Sequence, residues 1–485
     1  MASQPPTPDD RDVLANLSSL PEGPRNLLRL ALADRVTGCL VGSAVGDAIG
    51  LYTEFFTAAR AAVEYPEAKF TLHPTPTHFS PDLHRCKHAE GEWTDDTDHS
   101  LLLLLSFLNG SGGPGGPARG LPSQQDFAKR LKLWVSDGLR ALDRPPLGLG
   151  ALVGSVVRSP DYEEKPQEAA TERWRRSNMQ AAPNGALMRT HPLGLMLVAD
   201  GDEARAFSLA AEISRATHVD PRCVVSCVIG TGLVRACARG EVATEQHVDD
   251  LIARARAWYE SEGVTGGGSE GTEWPDLDWD ELTAHVNPAD GLDGLKLDES
   301  GKIGYTYKTL GSGVVCLRLA IRRISTQQAP SVAIAVKREE VFEELITDLT
   351  MRAGDADTNA CFAGALLGAY LGYSVLPGHW KRGLKNGDWL LRKAEALCKV
   401  LGVMDGEYNG RDDPDTEIAA GKPPLTEAES EMRWAVLSGD AQTRITERKT
   451  ARENAAKERA NKGRSGNPVL AFVKSFTTGP STRPA

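Results

Sequence analysis

An all-α fold is predicted by three features of this sequence. Apolar residues recur at helical spacing in block after block along the 485 residues, and convincing strand alternation is nearly absent. Glycines stand four apart at Gly38, Gly42, Gly46 and Gly50, and again at Gly364, Gly368 and Gly372. Two acid-rich stretches each open an apolar segment. The first is Glu92-Trp93-Thr94-Asp95-Asp96-Thr97-Asp98 ahead of Ser100-Leu101-Leu102-Leu103-Leu104-Leu105. The second is Gly354-Asp355-Ala356-Asp357-Thr358-Asn359 ahead of Ala360-Cys361-Phe362-Ala363-Gly364-Ala365-Leu366-Leu367.

Taken in order, residues up to about 26 read as a loose N-terminal arm. Helical spacing starts at Leu27 and carries the first glycine ridge. Each such glycine costs about 1 kcal/mol of helix propensity, so the ridge needs a packing reason: it admits a second backbone at close range. Both ridge-bearing helices are therefore expected to be central. Residues 57–92 read as an irregular connection with His73, His78, His84 and His88. His84-Arg85-Cys86-Lys87-His88 lacks the second ligand pair of a zinc finger and reads as a surface loop. A flexible linker is expected at 109–123. Helices are expected near 125–142, 149–157, 184–197, 203–217, 221–239 and 248–260. A glycine- and acid-rich insertion covers about 262–300, including Gly266-Gly267-Gly268. Helices at 305–323, 339–351, 357–373 and 389–401 complete the body. From 404 to 485 the chain reads as a charged helical extension and tail. Its basic residues, Arg444, Arg448, Lys449 and Arg452 among them, read as a solvated helix face.

Composition narrows the function. A net charge of −11, from 66 acidic and 55 basic residues, argues against a general nucleic-acid binder. Eight cysteines without paired spacing read as reduced thiols in the cytoplasm or nucleus. The polar lead from Met1 lacks the apolar core of a signal peptide. The strongest apolar run, around 101–108, falls far short of the roughly 20 residues that span a bilayer. No membrane association is expected, and the chain is expected to be a monomer.

The acid-rich stretches carry the chemistry. Carboxylates favour a helix N-terminus, where free N–H groups and the helix dipole stabilise negative charge. One Asp or Thr suffices as a cap, whereas three carboxylates and two hydroxyls crowd the first stretch. Adjacent acids at the mouth of a core helix repel one another unless a cation lies between them. Either stretch alone reads as a cap; two with the same chemistry point to one shared divalent-metal site.

In ordered blocks between about 34 and 401 the chain resembles the ADP-ribosylglycohydrolases, the family of dinitrogenase reductase-activating glycohydrolase and the ADP-ribosyl-acceptor hydrolases. The blocks are Gly42-Ser43-Ala44-Val45-Gly46-Asp47-Ala48-Ile49-Gly50, Thr94-Asp95-Asp96-Thr97, Asn184-Gly185-Ala186-Leu187-Met188-Arg189, Ala216-Thr217-His218 and Gly354-Asp355-Ala356-Asp357-Thr358, closed by Pro377 and Trp380. The resemblance implies an all-α catalytic domain over 27–403 with a central dimetal cleft. It implies two Mg2+, for which Mn2+ can substitute, held by Thr94, Asp95, Asp96, Asp355, Asp357 and Thr358. Glu54 resembles the glutamate on the family's mobile flap and is the first candidate for general base, with Asp355 the second. Asn184, Gly185, Gly148, Gly150, Ser155 and His218 fall on the ADP-ribose-binding loops, and Tyr305 is a candidate ribose or base contact. Asp47 is expected to bond a neighbouring loop, Met188 to pack in the core, and Arg189 to form a structural ion pair.

The implied activity is hydrolysis at the anomeric ribose carbon of an ADP-ribosylated protein or an ADP-ribose-containing small molecule. Two departures bear on it. Ala182-Pro183 stands where the family usually has glycine before the Asn-Gly pair, and Gly148 stands where arginine-releasing members usually carry an acid. The second departure leans towards O-linked ADP-ribose. Rival readings are an arginine-linked hydrolase, a catalytically silent ADP-ribose reader and a metal phosphohydrolase.

Overall fold

Most blocks of helical spacing become helix in the computed structural model, which describes residues 20–111, 120–263, 274–326 and 337–465; the span 184–197 instead holds a 3-10 turn, Leu187–Arg189, and a short helix from His191. The described residues form seventeen α-helices and no strand. In order they are α1 (Glu22–Gly50), α2 (Ala58–Glu64), α3 (Asp95–Asn109), α4 (Gln124–Asp137), α5 (Ala151–Val157) and α6 (Pro166–Arg176). Next come α7 (His191–Met196), α8 (Glu203–Arg215), α9 (Pro221–Arg239), α10 (Glu245–Trp258), α11 (Trp279–Val286) and α12 (Thr306–Thr326). The last are α13 (Arg338–Met351), α14 (Ala356–Leu371), α15 (Gly378–Gly383), α16 (Gly387–Val400) and α17 (Glu427–Ser465). Residues 1–19 of the expected arm, 112–119 of the linker, Gly266-Gly267-Gly268 and the tail beyond 465 lie outside the described residues. The first helix begins at Glu22, inside the span read as an arm, and the insertion contains α11.

The chain divides into two units, one of 1–77 with 90–430, the other of 78–89 with 431–485. In the first unit the two glycine ridges meet each other. A Cβ built on Gly42 would lie 2.5 Å from the carbonyl oxygen of Gly364, and one on Gly38 would strike Gly368 O. α1 and α14 thus touch backbone to backbone, and the second half of α1 is buried throughout. Gly42→Val should force these helices apart and cost at least about 3 kcal/mol, the upper range for overpacking a core. Gly23, which has nothing within 4 Å of its Cβ position, is the control. Denaturant unfolding of Gly42→Val and Gly23→Ala would show the difference.

Around this pair lie α9, α12, α13 and α16. The 19 residues of α9 are long and apolar enough to cross a bilayer by length and composition, which corrects the expectation that no run approaches that limit. The protein buries 94% of that stretch, so α9 is a core helix. All eight cysteines are free and buried.

In the second unit, the expected surface loop is largely enclosed: Arg85, Cys86 and His88 are buried. The reason is α17. Arg448 donates to the carbonyls of Arg85 (3.0 Å) and His88 (2.7 Å), and its guanidinium lies 5.0 Å from the Phe79 ring centroid. Arg444 donates to Cys86 O and Lys87 O. These two arginines, expected to face solvent, are spent on main-chain carbonyls in and next to a short 3-10 turn, Arg85–Lys87.

Candidate active site

α3 starts at Thr94 because its N-terminal N–H groups find oxygen acceptors. Thr94 Oγ1 accepts from Asp96 N, and Asp47, one turn before the end of α1, accepts from Thr94 and Thr97. Asp47 takes Thr94 N at 2.9 Å, Thr97 N at 3.1 Å and the Thr97 hydroxyl at 2.6 Å. Asp47 therefore bonds the neighbouring segment, which fixes the mouth of α3 against α1. Gly354, with φ +73, turns the chain into α14 where a side chain would strike Leu297 O. Its carbonyl accepts from Phe55 N (2.6 Å) and its N–H donates to Phe56 O (3.1 Å). These two bonds clamp the Glu54 turn to the Asp355 turn.

The clamp and the cap bring carboxylates from three parts of the chain together. One oxygen from each of Asp47, Asp96 and Asp357 lies within 4.8 Å of the others, and the same holds for Glu54, Asp355 and Asp357. Asp357 belongs to both groups. All are buried except Asp355, which keeps a partly exposed edge. Burial is the first cause that raises the aspartic carboxyls of the cluster. It takes Asp47 to about 6, against hydrogen bonds from Thr97 and Thr94 that pull it down. It takes Asp355 to about 6, with the Glu54 charge next. Asp95, Asp96 and Asp357 are held well above the usual range by burial, followed by the charges of Asp96, Asp47 and Glu54 respectively.

Asp96 Oδ1 is buried with no hydrogen-bond partner among the described residues. A buried carboxylate oxygen without a hydrogen bond inside a crowd of like charges suits a cation, and hard oxygen donors suit a divalent ion such as Mg2+. The residues present fit such an ion in each group.

Three expected site residues have other surroundings. Asp98, part of the dense acidic run, turns away and accepts from Trp93 Nε1 (2.8 Å), Trp134 Nε1 (3.0 Å) and Arg144 (2.8 Å). Its i+3 spacing from Asp95 did not reveal this, because helix pitch alone does not say which neighbour carries the indoles. Asp95 lies outside both three-carboxylate groups. Its Oδ1 fills the space that a side chain on Gly148 would take, and Gly148 has φ +93. The Tyr305 hydroxyl donates to Glu281 of α11 at 3.0 Å, so the insertion reaches this wall.

Beside the acids lie the other residues singled out. Asn184 Nδ2 donates to Asp355 Oδ2 (2.8 Å) and to Thr309 Oγ1 (2.9 Å), and its N–H donates to Gly304 O (3.0 Å). The amide thus orients Asp355. A Cβ on Gly185 would lie 3.2 Å from His218 Cε1 and Nε2, and 3.7 Å from Val153. Gly148, Asn184, Gly185 and His218 therefore form one continuous lining with the carboxylates. Gly150 caps α5, and the Ser155 hydroxyl donates within that helix to Leu152 O. Thr358 N donates to Asp357 Oδ1 (2.9 Å). The ion pair expected for Arg189 is not formed: among the described residues its partners are Gly185 O, Ile213 O and Thr217 Oγ1. Burial lowers its guanidinium to about 10, and it lies 4.5 Å over the Phe127 ring.

A family model described as ADP-ribosylglycohydrolase matches residues 28–407. The chain belongs to that family. It is a hydrolase of ADP-ribose glycosidic bonds, and the carboxylate groups and their lining fall within the matched span. The chain is 23% identical over 382 residues to the ADP-ribosyl-[dinitrogen reductase] glycohydrolase of Rhodospirillum rubrum, covering 76% of this chain and 97% of that one. It is 23% identical over 370 residues to the ADP-ribosylarginine hydrolase Tri1 of Serratia proteamaculans, covering 75% and 79%. It is 23% identical over 374 residues to the ADP-ribosylhydrolase ARH3 of Gallus gallus, covering 76% and 93%. As an ADP-ribosylglycohydrolase, the chain has one site feature the sequence did not flag as a ligand: Asp47 joins the first carboxylate group while capping α3. Its place at the end of a glycine ridge that docks on α14 was the available signal.

Proposed function

We propose that this ADP-ribosylglycohydrolase is a two-metal enzyme that releases ADP-ribose from O-linked acceptors. The observation that carries the reading is the sharing of Asp357 by two three-carboxylate groups. Asp47, Asp96 and Asp357 would hold one divalent ion and Glu54, Asp355 and Asp357 the other; magnesium suits both, and manganese can replace it. When bound, such ions polarise ribose and leaving-group oxygens and acidify a water. Thr94 and Thr358 position Asp96 and Asp357 within these sets. Asn184 holds Asp355 in place, so that the carboxylate need not reorganise as charge develops.

Glu54 is assigned the proton. As water oxygen bonds to the anomeric carbon and the bond to the acceptor oxygen breaks, Glu54 takes one proton from the water and passes it to the departing acceptor oxygen, which leaves as a hydroxyl. Asp355 is the second candidate for that role. The O-linked preference rests on Gly148 and on the fate of nearby acids. Asp143 pairs with Lys422 (2.6 Å), and Asp137 accepts from Leu425 N. Both are thus engaged by residues 422–425.

One observation favours a second reading. Asp95 Oδ1 stands against Gly148, where a guanidinium leaving group would want a carboxylate. Mass-spectrometric product analysis with ADP-ribosyl-serine, ADP-ribosyl-arginine and poly(ADP-ribose) decides between them. Faster release of free ADP-ribose from the O-linked substrates is expected. Preference for arginine would assign Asp95 to the leaving group, and release of phosphate or of nothing would end the hydrolase mechanism set out above.

A further inference from the structure

Beyond the carboxylates, a buried relay runs to the far wall of the lining. Arg189 is fully buried and has only donors to offer. One guanidinium nitrogen donates to Gly185 O (3.0 Å), and the other donates to Thr217 Oγ1 (2.7 Å). Thr217 Oγ1 in turn lies 2.7 Å from His218 Nδ1. The threonine hydroxyl has one proton. With the arginine already donating to its oxygen, that proton has His218 Nδ1 as its acceptor. If Nδ1 carried the proton instead, the hydroxyl would receive two bonds and its own proton would have no acceptor among the described residues.

We infer that Arg189 and Thr217 are positioning residues that lock His218 as the neutral tautomer protonated on Nε2. The edge bearing Nε2 faces Gly185, where the Cβ of any side chain would lie 3.2 Å from Nε2. His218 is thereby a one-way donor, suited to an acceptor oxygen or nitrogen of the ADP-ribose moiety and unsuited to a ligand hydroxyl that must donate. Burial, then the nearby Arg189 charge, holds the imidazole well below its ordinary pKa and keeps it neutral at physiological pH. The same arginine holds Gly185 O, so one side chain sets both the loop and the ring opposite it. This deepens the function proposed above and rests on its placing of the ligand in this lining.

The test is nitrogen-15 NMR of the full chain labelled at histidine, with the His218 signals assigned by their loss in His218→Asn. Wild-type protein should show a proton on Nε2 and an acceptor-type Nδ1, and titration with ADP-ribose should move the Nε2–H resonance. Thr217→Val should weaken ADP-ribose binding about tenfold, the scale of one lost hydrogen bond, and mix the tautomers. Thr217→Ser should restore both. Turnover at saturating substrate should change less than binding, because neither His218 nor its two supports belongs to the carboxylate groups. A proton on Nδ1, a charged ring, or an Nε2–H that ADP-ribose leaves unmoved would overturn the inference. These readings use ADP-ribose itself and need no hydrolysis, so failure of the proposed reaction would show separately, in the product analysis.

Discussion

Replacing Asp357 with asparagine is expected to lower ADP-ribose release by at least ~10²-fold, the scale for losing one electrostatic stabiliser at a reacting centre. The loss should exceed that of any single-group member, because Asp357 alone belongs to both carboxylate groups. The same change should leave the metal-free protein as stable as before, or more so. Burial holds the Asp357 carboxyl well above its ordinary range, followed by the charges of Glu54, Asp96, Asp355 and Asp47. Removing one charge from that crowd relieves repulsion, while the core stays intact in the α1–α14 contact and the leucines of α3. Product release measured beside thermal melts in a chelator separates the two effects. Turnover within tenfold of the parent would remove Asp357 from the mechanism.

The second large effect concerns divalent cations and pH. Asp47 and Asp355 are raised to about 6, and Asp95, Asp96 and Asp357 are held well above the usual carboxylate range. A carboxyl raised on folding contributes stability below its unfolded value near 4, and that contribution is lost as pH climbs through the folded value. The chelated protein should therefore lose the cluster's contribution between about pH 4 and pH 6 and above. Added magnesium should restore stability most at pH 8 and least at pH 5, where protons compete for the same oxygens. Buried neutral histidines act in the opposite sense. His191 is lowered to about 3, and His99 and His218 are lowered too, all chiefly by burial, so their contribution falls as pH drops below about 6.5. They are present with and without magnesium, so the difference between the two melting curves isolates the carboxylates. A magnesium-induced shift that is flat with pH would contradict the metal role of these groups.

Much of this was legible because it rests on short-range pattern. The all-α class follows from apolar spacing, and the bounds of α9 coincide with the run 221–239 read from the sequence. The glycine ridges announced a close helix contact, because four glycines in a helix have no local reason to be there. Two acid-rich helix mouths announced a shared site, because capping needs one oxygen and each mouth offered several. Less could be read where partners are far apart in sequence. Asp95, Asp96 and Asp98 share one helical turn and look equivalent on paper. The fold gives Asp96 to the carboxylate cluster, Asp95 to Gly148, and Asp98 to two tryptophans and an arginine.

What the sequence by itself determined is most of the longer helices, the family, and the two acidic mouths that carry the chemistry; α2, α6, α11 and α15 were not read from it. What was read depends on residue types at fixed spacing. What only the tertiary structure decided is the division of labour within them. Asp47 became both a cap and a cluster member because the glycine ridge brings its turn of α1 to the mouth of α3. Arg189 took carbonyls and Thr217 in place of a carboxylate, and Arg448 closed over the carbonyls of residues 85 and 88. Apart from Gly185 O, four residues from Arg189, the deciding quantity is a through-space distance of about one hydrogen bond between residues tens to hundreds of positions apart. Local spacing carries no record of such a distance until the chain has folded.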